Sequence, residues 1–139
     1  MEEVKKHWPE EKALWVRVSA EEYQPEGLHP EQVGKILSKL SGIDVIDVSS
    51  GGVTNVKVNA YPGYQVPFSD TVKKQTGKPT IAGGLITNAK QAETVLEEGK
   101  ANLIFLGREL LRNPYFPLQA AKELGVDLPW PKQYIRAKN

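Results

Sequence analysis

Cysteine is absent from this 139-residue chain, methionine occurs once and histidine twice. Without cysteine there is no disulfide, no thiolate nucleophile and no Cys-ligated metal. The histidines, His7 and His29, have neither metal-ligand spacing nor a nucleophile close by, and read as surface residues. An excess of either charge is missing too: eighteen basic residues face seventeen acidic ones, for a net charge of +1. That balance lacks the basic stripe with interleaved aromatics that nucleic-acid binding requires. No apolar run approaches the roughly 20 residues of a membrane span. The opening "MEEVKKHWPEEKA" has no signal-peptide core, so a cytoplasmic location is expected, with neither nucleic acid nor membrane as partner. Hydrophobic residues are 40% of the chain and charged ones 25%, the balance of a globular protein with one real core.

Present instead is a rhythm. Four apolar runs recur, "ALWVRVS" (13–19), "IDVIDVSS" (43–50), "PTIAGG" (79–84) and "ANLIFLG" (101–107), each ending in small residues or glycine. Between them lie helical patterns. "HPEQVGKILSKLSG" places Val33, Ile36, Leu37 and Leu40 on one face, with Pro30 suited to the first turn and Gly42 to the stop. "TNAKQAETVLEEG" aligns Ala89, Ala92, Val95 and Leu96, with Thr87 a candidate cap and Gly99 the end. "NPYFPLQAAKELG" predicts a helix closing at Gly125, its start constrained by Pro117. The weakest helical pattern is "PFSDTVKKQTG", where Phe68 and Val72 supply the apolar face. The order βαβαβαβα predicts a parallel sheet with right-handed crossovers over residues 1–125. The Pro-rich segment 126–139 lacks periodicity and predicts an extended arm.

Two architectures accommodate four βα units: an open doubly wound sheet, or half of a (β/α)8 barrel, whose full form takes about 250 residues. Trp15, Arg17 and Ser19 share one strand face, opposite Leu14, Val16 and Val18; Val45, Asp47 and Ser49 oppose Ile46 and Val48. Polar groups therefore gather on one face towards the strand ends. A sheet covered by helices on both sides should be apolar on both, so the pattern favours the half barrel.

Ligands of such folds sit at the C-terminal ends of the strands, and in barrels a phosphate commonly lies at the last two. Here those ends are Gly83-Gly84 and Gly107-Arg108. Glycine lets backbone N–H groups approach an anion, helix N-termini add donors, and arginine adds charge. The same residues could also be tight turns with a solvated arginine, and spacing alone favours neither. Arg17 is a cation within an apolar strand, costly unless paired or used. An ion pair with Asp47 and a fixed charge beside an anionic ligand are both open to it. Trp8, Trp15 and Trp130 read as packing residues.

"LWVRVSAEEY", "DVIDVSSGG", "NAYPGYQV", "AGGLIT", "NLIFLGRELLRNP" and "QYIR", in this order, resemble the C-terminal half of old yellow enzyme family flavoproteins, most of all the bacterial NADPH dehydrogenase subgroup. The resemblance implies an FMN-containing (β/α)8 barrel that takes hydride from NADPH and reduces activated alkenes, with the four βα units corresponding to strands five to eight. It implies cofactor-binding roles residue by residue. Arg17 matches the arginine against the pyrimidine side of the flavin. Gly84, with Gly83 beside it, matches the glycine near the FMN phosphate, and Gly107 and Arg108 match the pair that completes that site. Ser50 and Gly51 match the loop after strand six. Arg136 matches an arginine that crosses a dimer interface into the neighbour's active site. The family's strand-three glutamine, substrate-binding His pair and proton-donor tyrosine have no counterpart; His29 and Tyr23 match none of those motifs. No catalytic or metal-binding residue is therefore assigned.

Met1 falls within the helix that would precede strand five, from which a truncated reading frame, a split gene or a fragment is expected. Open edge strands predict a homo-oligomer, or pairing with a missing N-terminal half barrel. The expected function is that of the FMN-binding half of an NADPH-dependent ene-reductase, inactive without its other half. The alternative is a non-catalytic half barrel that binds phosphate or FMN weakly, or only folds and self-associates.

Overall fold

Each apolar run pairs with the next one along the chain, so strand order in the sheet equals strand order in the sequence. The computed structural model describes residues 1–138. Helix α1 (Glu2–His7) leads into β1 (Trp15–Ser19), α2 (Pro30–Leu37), β2 (Val45–Ser49), α3 (Val66–Thr76), β3 (Thr80–Ala82), α4 (Ala89–Glu97) and β4 (Leu103–Ile104). Helices α5 (Arg108–Arg112) and α6 (Phe116–Glu123) follow, then a 3-10 helix over Lys132–Ala137. The four strands form one parallel sheet, consistent with part of a (β/α)8 barrel.

Register explains the two faces. Arg17 pairs with Asp47, Asp47 with Ile81, and Ile81 with Leu103, so these four side chains form a row across one face. The alternate positions turn to the helices. Ile46 and Val48 are fully buried with Val72, Val33 and Leu37 under α2 and α3. Ala82 joins Val66, Ile86, Val95 and Ala101 under α4. Ser69 and Thr80, also fully buried, satisfy one another at 2.9 Å. All of the continuous core thus lies on the helix-covered, convex side.

The helices begin and end for local reasons. Pro30 opens α2, where a missing N–H costs nothing, and the Gln32 side chain accepts from the His29 N–H at 2.7 Å. Gly77, with φ +67°, closes α3 in the left-handed region. Several expectations need correcting. Asn88, not Thr87, caps α4, its Oδ1 accepting from the Gln91 N–H at 2.8 Å. Helix α2 ends at Leu37, five residues before Gly42. Ile36 is 51% exposed, because the helix packs Val33 and Leu37 inward and nothing covers its outer flank. Trp8 and Trp15 are exposed rather than packed; β3 ends at Ala82, directly before Gly83, and β4, only Leu103–Ile104, is shorter than its apolar run. The arm is not uniformly extended: its 3-10 helix brings Tyr134 edge-on to Tyr115, and Lys138 pairs with Asp127.

Candidate functional site

The C-terminal ends of β3 and β4 open into a cleft of about 160 Å³. Gly84, Gly107 and Arg108 line it, joined by Tyr64, Leu85, Phe105 and Arg112. The chain reaches this arrangement through two consecutive residues of positive φ, Gly84 (+94°) and Leu85 (+54°). Gly84 tolerates no side chain: a Cβ there would stand 2.9 Å from the Tyr64 ring and 3.0 Å from the Gln65 nitrogen. The Gly63 N–H donates to the Gly84 carbonyl at 2.6 Å, which fastens the turn carrying Tyr64 against the end of β3. At Gly107, by contrast, an added Cβ would meet nothing within 4 Å, so that backbone faces open space. Arg108 has no ion-pair partner among the described residues, whereas Arg112, one turn on, pairs with Glu109 at 2.7 Å.

Gly83 lies outside the lining of this cleft. A Cβ there would be 2.4 Å from the Phe105 ring, so its missing side chain makes room for that ring. Phe105 in turn carries the Arg17 guanidinium, 4.6 Å from its centroid. Arg17 therefore reaches from the first strand to the residue following the fourth, across the concave face. Its Nη1 donates to Asp47 Oδ2 at 2.9 Å. The expected ion pair is present but not buried, since the Arg17 side chain is 55% exposed. Burial pushes the Asp47 carboxyl above its ordinary range, and Arg17 pulls against that. Asp47 Oδ1 is buried without a partner among the described residues.

Ser50 and Gly51 belong to a second cluster, at the ends of β1 and β2. Ser50 Oγ is 2.8 Å from the Tyr23 hydroxyl and accepts from Gln65 Nε2 at 3.0 Å. The Ser19 hydroxyl donates to the Gly51 carbonyl at 3.1 Å. Tyr23 adopts φ +59°, a strained value for a residue with a side chain, held by its N–H donation to Glu21 at 2.6 Å. Partial burial raises the Tyr23 phenol's pKa, and the Ser50 hydrogen bond opposes the rise. Glu21 also holds His29 at 3.0 Å, which raises the imidazole's pKa; His29 is thus tied down rather than a free surface residue. Arg136, in the 3-10 helix, is exposed and does not line the cleft.

The cleft brings together Gly84, Gly107 and Arg108, which the sequence motifs singled out, with Arg112 beyond them. The family model for NADH:flavin oxidoreductase / NADH oxidase matches residues 1–127. The chain belongs to this family. Among its relatives within the family, the NADPH dehydrogenase of Geobacillus thermodenitrificans is 51% identical over 125 residues, covering 88% of this chain and 37% of that protein. That of Clostridium acetobutylicum is 45% identical across 141 aligned positions, covering all of this chain and 42% of its own length. The NADPH dehydrogenase of Bacillus cytotoxicus is 48% identical over 136 residues. The chain thus spans about two-fifths of the length of these relatives, between 37% and 42%.

Tyr64, Phe105, Arg112 and Gln65 escaped the sequence reading. Arg112 had a signal: it lies four residues after Arg108, on the same helix face. Phe105 had none, because its partners Gly83 and Arg17 are distant in sequence and meet it only through the curl of the sheet.

Proposed function

We propose that this chain is the cofactor-holding part of an FMN-dependent NADPH dehydrogenase acting on activated alkenes, with β1 to β4 corresponding to strands five to eight of the barrel. The observation that carries this reading is the convergence of Gly84, Gly107 and Arg108 on one cleft at the strand ends. Its size, about 160 Å³, suits a phosphate and is too small for a flavin ring system, which leaves the concave face beside Arg17 for the ring. The open backbone at Gly107, the first N–H groups of α5 and the Arg108 guanidinium are donors for that phosphate. Gly83 contributes by making room for the Phe105 ring beside the cleft. Arg17 places a positive charge where the ring's pyrimidine side would rest. Ser50 and Gly51 hold the β2 loop through the Tyr23–Gln65 cluster. Hydride transfer from NADPH is the chemistry the flavin supplies when bound.

We assign this chain no catalytic residue and take it to be inactive alone; residues 1–125 form the half barrel and 126–139 the arm. Arg136 would serve a neighbouring active site. The partner is a second copy or the remaining half of the barrel, and the location cytoplasmic; no helix is long and apolar enough to cross a membrane among the described residues.

An FMN titration of the purified chain, followed by quenching of flavin fluorescence, tests the reading. Saturable binding that Arg108→Ala weakens about tenfold or more is expected; saturable binding indifferent to Arg108, or none, would overturn it. The second reading, a non-catalytic half barrel that self-associates, is favoured by the unpaired outer edges of β1 and β4 and by Trp15, 55% exposed on the concave face. Sedimentation showing a monomer at micromolar concentration would count against it.

A further inference from the structure

Arginine at a strand mouth is a long, rotatable side chain, and its usefulness to a ligand depends on how much of that freedom is removed beforehand. In this chain two groups on the concave face remove it. Asp47, the register partner of Arg17, accepts from Nη1 at 2.9 Å. Phe105, arriving from beyond β4, offers its ring face 4.6 Å from the guanidinium carbon. The contact exists only because Gly83 leaves space for the ring. Phe105 also lines the cleft that contains Arg108, so one aromatic ring touches both the guanidinium and the anion cleft.

As scaffolding alone this arrangement is poor. Asp47 is a part-buried carboxylate with one oxygen, Oδ1, left without a partner among the described residues, in a row that continues into apolar Ile81 and Leu103. An apolar residue of similar size would serve packing better. What the carboxylate does is hold one edge of a guanidinium whose side chain stays half exposed and whose remaining N–H groups are open to a ligand.

We propose that Asp47 and Phe105 are positioning residues that fix Arg17 in advance for the ring of a flavin whose phosphate occupies the Arg108 cleft. This rests on the flavin reading above. It also makes a prediction of sign. If Asp47 acted only through its charge, removing that charge would make the site more positive and tighten binding of an anionic ligand. If it positions Arg17, removing it loosens binding.

The test uses the purified chain with Asp47→Asn, Phe105→Leu and Phe105→Tyr, titrated with FMN and separately with inorganic phosphate. Asp47→Asn and Phe105→Leu should each weaken FMN binding about fivefold. Inorganic phosphate should bind Asp47→Asn, which lies outside the cleft, as it binds the unsubstituted chain, which also shows that the cleft remains folded. Phe105→Tyr, keeping the aromatic face, should restore the unsubstituted affinity. In the ligand-free chain, the Arg17 Nε–H resonance should carry a ring-current shift that Phe105→Leu abolishes and Phe105→Tyr retains. Saturable FMN binding that Asp47→Asn tightens, or that Phe105→Leu leaves untouched, would overturn this inference and spare the flavin reading. Failure of the unsubstituted chain to bind FMN would overturn both.

Discussion

The two faces of the sheet are made from the same strands and obey opposite rules. On the convex side Ile46, Val48 and Ala82 are completely buried beneath helices. On the concave side Trp15 and Leu103 are 55% and 44% exposed, and the central row holds an ion pair. Stability resides on the first face, and the proposed flavin site lies on the second. Single substitutions should separate the two.

The largest effect is expected from the convex face. Ile46→Ala removes a fully buried side chain and should cost about 2–5 kcal/mol in urea unfolding. Trp15→Ala, in the same sheet, should change unfolding by under about 0.5 kcal/mol and lower any self-association. A Trp15 variant as damaging as the Ile46 one would end the distinction. Next come the strand ends. Gly84→Ala forces a Cβ into φ +94° and against Tyr64, and should cost about 1–3 kcal/mol. At Gly107, where an added Cβ meets no atom within 4 Å, alanine should cost less than at Gly84. Equal costs at the two positions would mean that the cleft is not built as described.

The smallest effect concerns pH. Glu21 raises the pKa of His29 in the folded state, so the pair's contribution to stability is complete below the unfolded imidazole value of about 6.5. It is lost as pH rises through the folded value. Thermal unfolding at pH 5 and pH 8 should therefore show a decline on the alkaline side that His29→Gln reduces; an identical decline in the variant would remove the pair from the account.

What could be read beforehand follows the range of the forces involved. Strands β1 and β2 were legible because Val16, Val18, Ile46 and Val48 alternate with polar neighbours, a period-two signal contained in five residues. The same alternation, applied to parallel strands, put Arg17 beside Asp47 correctly. Helix α5 was not foreseen: the pattern read as helical began at Asn113, after "RELLR", whose five residues are too short for a periodic signal. Ile36 fits its helix face by spacing, yet it is exposed because burial depends on what lies next to α2. At the site, glycines and Arg108 announced themselves by type. Tyr64 and Phe105 did not, because each acts by filling the space above a glycine, Gly84 and Gly83 respectively, and that complementarity exists only in three dimensions.

Strand order equal to chain order has one more consequence, for how this chain comes into being. No strand must be threaded between two others already in place; each βα unit docks on the one made just before it. Loop-closure costs stay short-range, and an ordered edge can form while the C-terminal residues are still being synthesised. The growing edge is then always the last strand completed.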